Sequence, residues 1–324
     1  MKFFKVGFVN VSYICVGQFC KHYITVYWQQ LYSVEKLFSF NIIGIYSVEK
    51  QYKTLPDHVL QNIAMELNLS ETAYVTAQEN SSPNVWKEGN KFGLRWFTPT
   101  IEFPLCGHAT LATAHTLFNI LGNTSDSIAF ETLSGTLWVK KHEDGISMDF
   151  PLNKPEPLTK NQQEKYRKLI NAVTGNKKVK ETLLSKSSEK LMIRLENYYT
   201  RTDLQSLSPN PTTLLELYDG TEVQGVIVTL QGDLHRNQDT SRGLQEYNFA
   251  SRYFAPWVGV PEDPVTGSAH TVLGPYWSEQ LNLKELKCRQ SSNRGGDITL
   301  RIRDDNRVDI IGKGTTVIEG EINI

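Results

Sequence analysis

The chain contains an internal repeat, and this repeat restricts its fold more than any other feature of the sequence. Residues 95–99 (RWFTP) precede the segment 106–111 (CGHATL) and an apolar helical pattern. Residues 252–256 (RYFAP) precede the segment 266–271 (TGSAHT) and a similar helical pattern. Phe-x-Pro and Gly-small-Ala motifs also recur by chance, but the shared order of strand, turn and Gly-led helix argues against chance. The repeat therefore predicts a duplicated chain with two similar halves.

Each copy continues past its helix into a segment that alternates apolar and polar residues around a polar turn. Residues 134–150 correspond in this way to residues 294–311, and both segments predict β-hairpins. The helices predicted at about 107–121 and 267–281 are apolar on most sides, which favours enclosure by a sheet. We therefore expect an α+β fold with two pseudo-symmetric halves, each a curved antiparallel sheet wrapped around a central helix.

The length of 324 residues is sufficient for two domains, each with its own core. Residues 151–160 (PLNKPEPLTK) are rich in proline and lack a periodic pattern, so they predict a linker. The predicted organisation is an N-terminal half at 1–150, this linker, and a C-terminal half at 161–324. Residues 161–222 look like a helix-rich, polar elaboration of the second half.

The composition argues against several kinds of partner. With 34 Lys+Arg against 35 Asp+Glu there is no basic excess, so we expect no nucleic-acid binding. The 4 cysteines lack the paired spacing of a zinc site or a disulfide framework, so we expect no metal and a reducing compartment. Residues 3–19 are apolar but interrupted by polar residues, unlike a membrane helix or a secretory signal. A cytoplasmic protein without a membrane anchor is expected.

Both predicted helices begin with glycine, at Gly107 and Gly267. The first turn of a helix has N–H groups without intrahelical partners and a partial positive charge, so it binds carboxylate or phosphate. Two such starts that face one cleft would form a preorganised anion site. His108, Asp263 and Ser268 flank the two glycines. Each of these three also has an ordinary structural interpretation, as a buried histidine, a turn or cap residue, and a helix-start hydroxyl.

Longer motifs at these positions resemble those of the phenazine biosynthesis PhzF-like family. They look especially like the animal members of that family, the phenazine biosynthesis-like domain-containing proteins. The matching segments, in family order, are 65–73 (MELNLSETA), 93–99 (GLRWFTP), 105–112 (LCGHATLA), 252–257 (RYFAPW), 262–270 (EDPVTGSAH) and 294–296 (RGG). Several motifs of this length in one chain make the resemblance specific.

The resemblance implies a diaminopimelate-epimerase-like fold, an active site between the two halves, and no cofactor. It implies that Glu71 is the catalytic acid/base, a residue that the repeat alone does not single out. It also implies that His108 and Asp263 assist in catalysis, and it is compatible with a homodimer. The expected substrate-binding residues are Gly107, Gly267, Ser268 and Asn41.

Two departures from the family pattern bear on the mechanism. Related epimerases use one thiol from each half, whereas this chain has Cys106 at the first position and Thr266 at the second, so a two-thiol racemase is not expected. A single carboxylate whose pKa is raised by burial suits a proton shift along a conjugated system. Residues 1–40 do not resemble the opening of the family, and Asn41 is interpreted as the remnant of its Gly-Asn-Pro turn.

The function expected from the sequence is therefore that of a cofactor-independent isomerase that moves a proton on a small carboxylate substrate. The atypical residues 1–40 motivate the main alternative, a catalytically silent binding or scaffold protein that retains the fold. A Cys-Gly-His hydrolase that uses Cys106 as nucleophile is a further alternative.

Overall fold

The structure is a computed structural model that describes residues 23–31, 41–45, 55–78, 82–232 and 247–323, the first two ranges as backbone only. The strands are β1 (Tyr23–Leu31), β2 (Asn41–Ile45), β3 (Thr72–Ala77), β4 (Lys91–Phe97), β5 (Glu102–Phe103), β6 (Ser127–Thr132), β7 (Gly135–His142), β8 (Gly145–Pro151), β9 (Glu156–Pro157), β10 (Val179–Ser185), β11 (Lys190–Leu195), β12 (Gly225–Gln231), β13 (Phe249–Phe254), β14 (Glu285–Gln290), β15 (Gly296–Ile302), β16 (Arg307–Gly312) and β17 (Gly314–Asn323). The α-helices are α1 (Asp57–Leu67), α2 (Val85–Glu88), α3 (Gly107–His115), α4 (Lys160–Thr174), α5 (Arg201–Gln205), α6 (Pro211–Leu217) and α7 (Gly267–Leu281).

The strands form one continuous set of pairings. From β9 the pairing passes in order through β10 to β16, and β16 then pairs with β8. It continues from β8 through β7, β6, β4, β3, β2 and β1 to β17, and β5 pairs with β4. The antiparallel contact between β8 and β16 therefore joins the two halves.

The two halves repeat the same sequence of strand directions. From β1 to β8 the neighbours are antiparallel, parallel, antiparallel, parallel, antiparallel and antiparallel. From β10 to β16 the order is identical. The predicted fold class, α+β with two pseudo-symmetric halves, is confirmed. The sheet of each half is mixed rather than antiparallel throughout, because helix-containing connections return the chain in the same direction.

Each half contains an equivalent Arg–Glu ion pair, so the repeat extends from the backbone to the side chains. Arg95 donates two hydrogen bonds to Glu102, at 2.7 and 2.8 Å, and Arg252 donates two to Glu262, both at 2.7 Å. Both are the two-pronged Arg–carboxylate contact that fixes geometry most firmly. The arginine and its carboxylate partner are 7 residues apart in the first copy and 10 in the second, so equivalent ion pairs form although the connecting turns differ in length.

The central helices α3 and α7 lie inside their own halves. In α3 every residue from His108 to Ala114 is buried, and in α7 every residue from Ala269 to Trp277 is buried. The Trp277 ring stacks on Phe249 of β13 with a centroid distance of 5.5 Å. A helix that is apolar all round is stable only when it is enclosed, which is how each sheet positions the start of its helix at the boundary between the halves.

The predicted linker at 151–160 includes the end of β8, the short strand β9 and the start of α4, and its role as a domain boundary stays a prediction. The interpretation of 161–222 as helix-rich is correct for α4, α5 and α6, but it missed two strands of the repeated sheet. This region contains β10 and β11, which occupy the places that β1 and β2 have in the first half. All of β11 is buried, so its sequence lacks the alternation that identifies a strand.

The described residues include no helix that has both the length and the apolar character needed to cross a bilayer.

Candidate active site

The starts of α3 and α7 meet across the boundary between the halves. A Cβ atom built on Gly107 would lie 3.4 Å from the Cα of Gly267, and one built on Gly267 would lie 3.6 Å from the Cα of Gly107. Neither helix start has a hydrogen bond from a capping side chain. The glycines therefore let two backbones approach closely, and the N–H groups of two first turns converge on one place.

The Glu71 side chain is buried beside this meeting point and contacts His108. Glu71 directly precedes β3, and its Oε2 atom lies 2.7 Å from Nε2 of His108 on the first turn of α3. The exposed fractions of the Glu71 and His108 side chains are 9% and 6%. The structure thus brings together two of the predicted site residues, 37 positions apart in sequence, as a buried acid–base pair.

The protonation of this pair follows from its geometry. Burial alone would raise the pKa of Glu71, but the charge and hydrogen bond of His108 outweigh burial, and the net shift is downward. Burial also favours neutral His108, yet the charge of the Glu71 carboxylate and the hydrogen bonds with Cys106 and Glu71 outweigh it and hold the pKa of His108 well above its usual value. The pair is therefore a carboxylate and an imidazolium at neutral pH, and the expectation that burial raises the pKa of Glu71 is wrong.

The Cys106 thiol lies beside the same ring nitrogen of His108 that contacts Glu71. Its Sγ atom is 3.5 Å from Nε2 of His108, and the side chain is buried. Burial, together with the Glu71 carboxylate, raises the pKa of Cys106 to about 11. The sulfur is therefore a protonated thiol at neutral pH, which argues against the Cys-Gly-His hydrolase because the thiolate is the nucleophile.

Asp263 approaches the imidazole from the second half. Its Oδ1 atom lies 4.0 Å from Nδ1 of His108, and its Oδ2 accepts a 2.6 Å hydrogen bond from the Thr266 hydroxyl. Burial raises the pKa of Asp263, and the charge of His108 partly offsets this effect. Gln290 fixes the segment, since it accepts from the Thr266 N–H at 2.7 Å and donates to the Asp263 carbonyl at 2.6 Å. Asp263 is thus held facing His108.

The two remaining predicted residues are less closely engaged. Ser268 is half-buried on the first turn of α7, and its carbonyl accepts a hydrogen bond from the Thr271 hydroxyl. Asn41 begins β2, and the parallel register that pairs Ile42 with Thr72 sets the Asn41 backbone beside that of Glu71. The side chain of Asn41 lies outside the described residues.

Two cations that the residue patterns did not single out lie within electrostatic reach of the carboxylates. Arg294 is half-buried, and desolvation lowers its pKa, while the charges of Asp263 and Glu71 act in the opposite direction. Burial lowers the pKa of Lys190 to about 8 against the opposing charges of Glu189 and Asp263. Arg294 lies in the family-like motif at 294–296, so the sequence could have identified it as a site residue. Lys190 begins a buried strand and lies in no such motif, so nothing in the sequence indicated its role.

The strand registers show which residue of the second half is equivalent to Glu71. In the first half Thr72 pairs with Phe97, the last residue of the RWF segment. In the second half Val226 pairs with Phe254, the last residue of the RYF segment. Thr72 and Val226 are therefore equivalent, and so are the residues that directly precede them.

Those preceding residues are Glu71 and Gly225, so the second half has no carboxylate at this position. A Cβ atom on Gly225 would lie 2.1 Å from the hydroxyl oxygen of Tyr253, which fills the space. Burial, followed by the charge of Asp263, raises the pKa of the Tyr253 phenol. At this pair of equivalent positions the cleft is therefore one-sided, with a carboxylate in the first half and a neutral phenol in the second. The carboxylate that the second half does contribute, Asp263, lies before the start of α7 instead.

A small open cleft borders both helix starts. His108 and Gly267 form part of its wall, and most of the rest is apolar. The apolar lining residues include Met148, Val265, Ile298 and Ile310. The charged cluster thus adjoins a surface suited to the hydrocarbon part of a small molecule.

Two pseudo-symmetric halves with ionisable groups where their central helices meet define the class of diaminopimelate-epimerase-like proteins. Within that class, the chain belongs to the family of phenazine biosynthesis-like proteins, whose model matches residues 35–320. The bovine phenazine biosynthesis-like domain-containing protein is 45% identical over 269 residues, which cover 83% of this chain and 89% of that protein. A protein of Pseudomonas aeruginosa named as an uncharacterized isomerase is 36% identical over 270 residues, or 83% of this chain and 88% of its own length.

A solved structure shows the same architecture. The crystal structure of a phenazine biosynthesis PhzF family protein from Enterococcus faecalis is 35% identical and superposes with a TM-score of 0.75 over 93% of this chain and 100% of that chain. The family and this structural match support an isomerase-type enzyme.

Proposed function

We propose that this protein is a cofactor-independent isomerase that moves a proton on a small carboxylate substrate, with Glu71 as the acid/base. The observation that carries the proposal is the buried contact between Glu71 and His108 at the place where the two helix starts meet. Helix starts favour an anion, so the substrate carboxylate binds there, and its hydrocarbon part lies against the apolar wall of the cleft. Asn41 and Ser268 complete the proposed substrate contacts.

The lowered pKa of Glu71 determines how it acts. The carboxylate is ionised at neutral pH and accepts a proton from a carbon that is acidified by conjugation with the substrate carboxylate. Once protonated, Glu71 loses its ion pair with the His108 imidazolium, so the acid form is destabilised and returns the proton. His108 therefore holds the base in place and drives the second half of the reaction, while Asp263 orients His108 from the other side.

The absence of a second base favours a shift over an inversion. The thiol of Cys106 stays protonated and Gly225 has no side chain. The Asp263 carboxylate accepts a hydrogen bond from Thr266 and faces His108, so its proposed role is to orient His108 and not to act as a second base. One carboxylate removes and returns the proton on the same face of the substrate. Transfer between two carbons of a conjugated system meets this requirement, whereas racemisation needs an acid on the opposite face.

The test is proton exchange with solvent. Small cyclic and unsaturated acids are first screened for thermal stabilisation, because a ligand that binds the folded state raises its melting temperature. A stabilising acid is then incubated in D₂O with wild type, Glu71→Gln and the matched control Glu102→Gln, and deuterium incorporation is followed by NMR. Glu71→Gln should reduce incorporation by about 10²- to 10⁴-fold, the usual contribution of a general acid/base, while the control retains it. Equal incorporation by wild type and Glu71→Gln contradicts the role of Glu71.

A second candidate is a catalytically silent binding or scaffold protein. The family match begins at residue 35, so residues 1–34 lie outside it, and this observation favours a changed role. A protein of this kind would show no exchange with any acid of the panel and would form a stable complex with another protein. Cytoplasmic location and a homodimer also belong to the proposal, and cell fractionation and light scattering of the purified protein test them.

A further inference from the structure

Glu71, Cys106 and His108 form a cluster of three potential metal ligands that the sequence spacing did not reveal. A carboxylate oxygen of Glu71, the sulfur of Cys106 and a ring nitrogen of His108 all lie within 4.8 Å of one another, and all three residues are buried. One hard oxygen, one borderline nitrogen and one soft sulfur form the mixed donor set that zinc accepts.

The distances agree with a tetrahedral ion. Zinc binds sulfur at about 2.3 Å and nitrogen or oxygen at about 2.0–2.2 Å, so tetrahedral angles place ligand nitrogen and sulfur about 3.5 Å apart and nitrogen and oxygen about 3.3 Å apart. The observed separation of Nε2 of His108 from Sγ of Cys106 is 3.5 Å. Nε2 and the Glu71 oxygen are 2.7 Å apart, so the Glu71 carboxylate must move by about 0.6 Å to admit the ion.

The other nitrogen of the imidazole already faces the kind of partner that metal-bound histidines have. A ligating histidine usually donates its second N–H to a carboxylate, which fixes the orientation of the ring. Nδ1 of His108 lies 4.0 Å from Oδ1 of Asp263, and the Thr266 hydroxyl holds Asp263 from behind. At 4.0 Å this contact is longer than a hydrogen bond, so Asp263 must approach by about 1 Å to accept the second N–H when an ion binds.

We propose that Glu71, Cys106 and His108 bind one zinc ion, and that this ion inhibits the enzyme. Binding replaces the sulfur proton of Cys106 and the Nε2 proton of His108 by the metal, so two protons pass to solvent and the Glu71 carboxylate becomes a ligand. The fourth position of the ion is open to water or to the carboxylate of a substrate. The ion occupies the base and its partner, so proton transfer stops; this inhibition rests on the proposed function, whereas zinc binding does not.

Cobalt(II) tests the binding without a substrate. In the full-length protein we expect one Co²⁺ per chain with a near-ultraviolet thiolate-to-cobalt charge-transfer band, which Zn²⁺ then displaces. Cys106→Ala should abolish the band, while Cys288→Ala, which removes a buried thiol elsewhere, and the double variant Cys15→Ala/Cys20→Ala should retain it. Circular dichroism confirms that the variants are folded. A wild-type protein without the band, or a Cys106→Ala protein that keeps it, overturns the proposal.

Two further measurements test the geometry of the zinc site and the inhibition by zinc separately. Asp263→Asn should keep the band and weaken Zn²⁺ affinity by about 10- to 100-fold, the usual effect of removing a group that orients a metal-bound histidine. Unchanged affinity in this variant contradicts the proposed geometry. Zn²⁺ should also suppress deuterium exchange in wild type. Exchange that persists with the cobalt band fully displaced by zinc contradicts the inhibition.

Discussion

Replacement of Glu71 by glutamine should change the pH dependence of folding stability in a way that reports the charge state of the Glu71–His108 pair. The folded-state pKa of Glu71 lies below its unfolded value of about 4.3, so Glu71 contributes stability above that value and loses it as pH falls through the folded pKa. The folded-state pKa of His108 lies above its unfolded value of about 6.5, so its contribution is complete below that value and is lost as pH rises through the folded pKa. The pair therefore stabilises the fold most between these two titrations.

The magnitude follows from the distance and the burial. Unit charges 2.7 Å apart attract each other by about 6 kcal/mol at an effective dielectric constant of about 20. Desolvation of two buried ions offsets part of this energy, and removal of one partner of a buried pair costs about 3–5 kcal/mol. Glutamine keeps a hydrogen bond and lets His108 lose its proton, so we expect the low end, about 3 kcal/mol at the maximum. The difference between wild type and variant should decline on each side by at most about 1.4 kcal/mol per pH unit.

Urea unfolding at intervals from roughly pH 3 to pH 9 measures this difference and includes the decline on the acid side. Glu102→Gln is the matched control, because it breaks the partly exposed pair with Arg95 and should cost less than about 1 kcal/mol. Stability curves of wild type and Glu71→Gln that run parallel across the whole pH range would refute the charged pair and, with it, the ionised base in the proposed mechanism.

Three other substitutions test the packing at Gly225 and the roles of the two cations near the site carboxylates. Gly225→Ala should destabilise the protein by about 1–3 kcal/mol in urea unfolding, since its Cβ would lie 2.1 Å from the hydroxyl oxygen and 2.4 and 2.5 Å from two ring carbons of Tyr253. Adding Tyr253→Phe should restore little of the loss because the ring contacts remain, and full recovery in the double variant would contradict this packing. Lys190→Met should raise KM for the acid substrate by about 10-fold with little change in kcat, because it removes a buried cation near the anion site; an unchanged KM contradicts this role. Arg294→Met removes a charge that lowers the pKa of Glu71, so the acidic limb of kcat/KM should move to higher pH, and a fixed limb would be inconsistent with that influence.

The repeat allowed much of the fold to be predicted from the sequence. The helix predicted at 267–281 matches α7, and the one predicted at 107–121 matches α3 together with the π-helical turn Thr116–Ile120. The hairpins predicted at 134–150 and 294–311 contain β7 with β8 and β15 with β16. These elements were readable because they are long or half exposed, so their periodicity is visible.

The buried strands of the second half could not be predicted from periodicity. Strand β11 has the sequence KLMIRL, and every residue in it is buried, including Lys190 and Arg194. A strand with both faces covered shows no alternation, and charged residues at buried positions make it look like a surface segment. Recognition of β10 and β11 required their pairing with β12, which is a property of the whole sheet.

The residues of the candidate site also differ in whether the local sequence could identify them. His108 and Asp263 were accessible from the residues alone because they flank the glycines that open the two helices. Glu71 was reached only through the family resemblance, since its partner is 37 residues away and the contact depends on how β3 packs beside α3. The direction of its pKa shift was predicted incorrectly for the same reason, because burial can be inferred from composition but a charged partner across the fold cannot.

Duplication explains why the backbone of the site is repeated in both halves while the Glu71 carboxylate is present in only one. The backbone repeats faithfully, so each half supplies a glycine-led helix start, and the two starts touch at Gly107 and Gly267. Backbone N–H groups are independent of side-chain identity, which means that anion binding can be shared equally by both halves. Proton transfer depends on side chains, and here the halves differ, since the position of Glu71 is repeated as Gly225 and filled by the Tyr253 phenol. In the proposed function, the two helix starts hold the substrate carboxylate from both halves while Glu71 alone exchanges its proton, and this combination is what a stereochemically faithful proton shift requires.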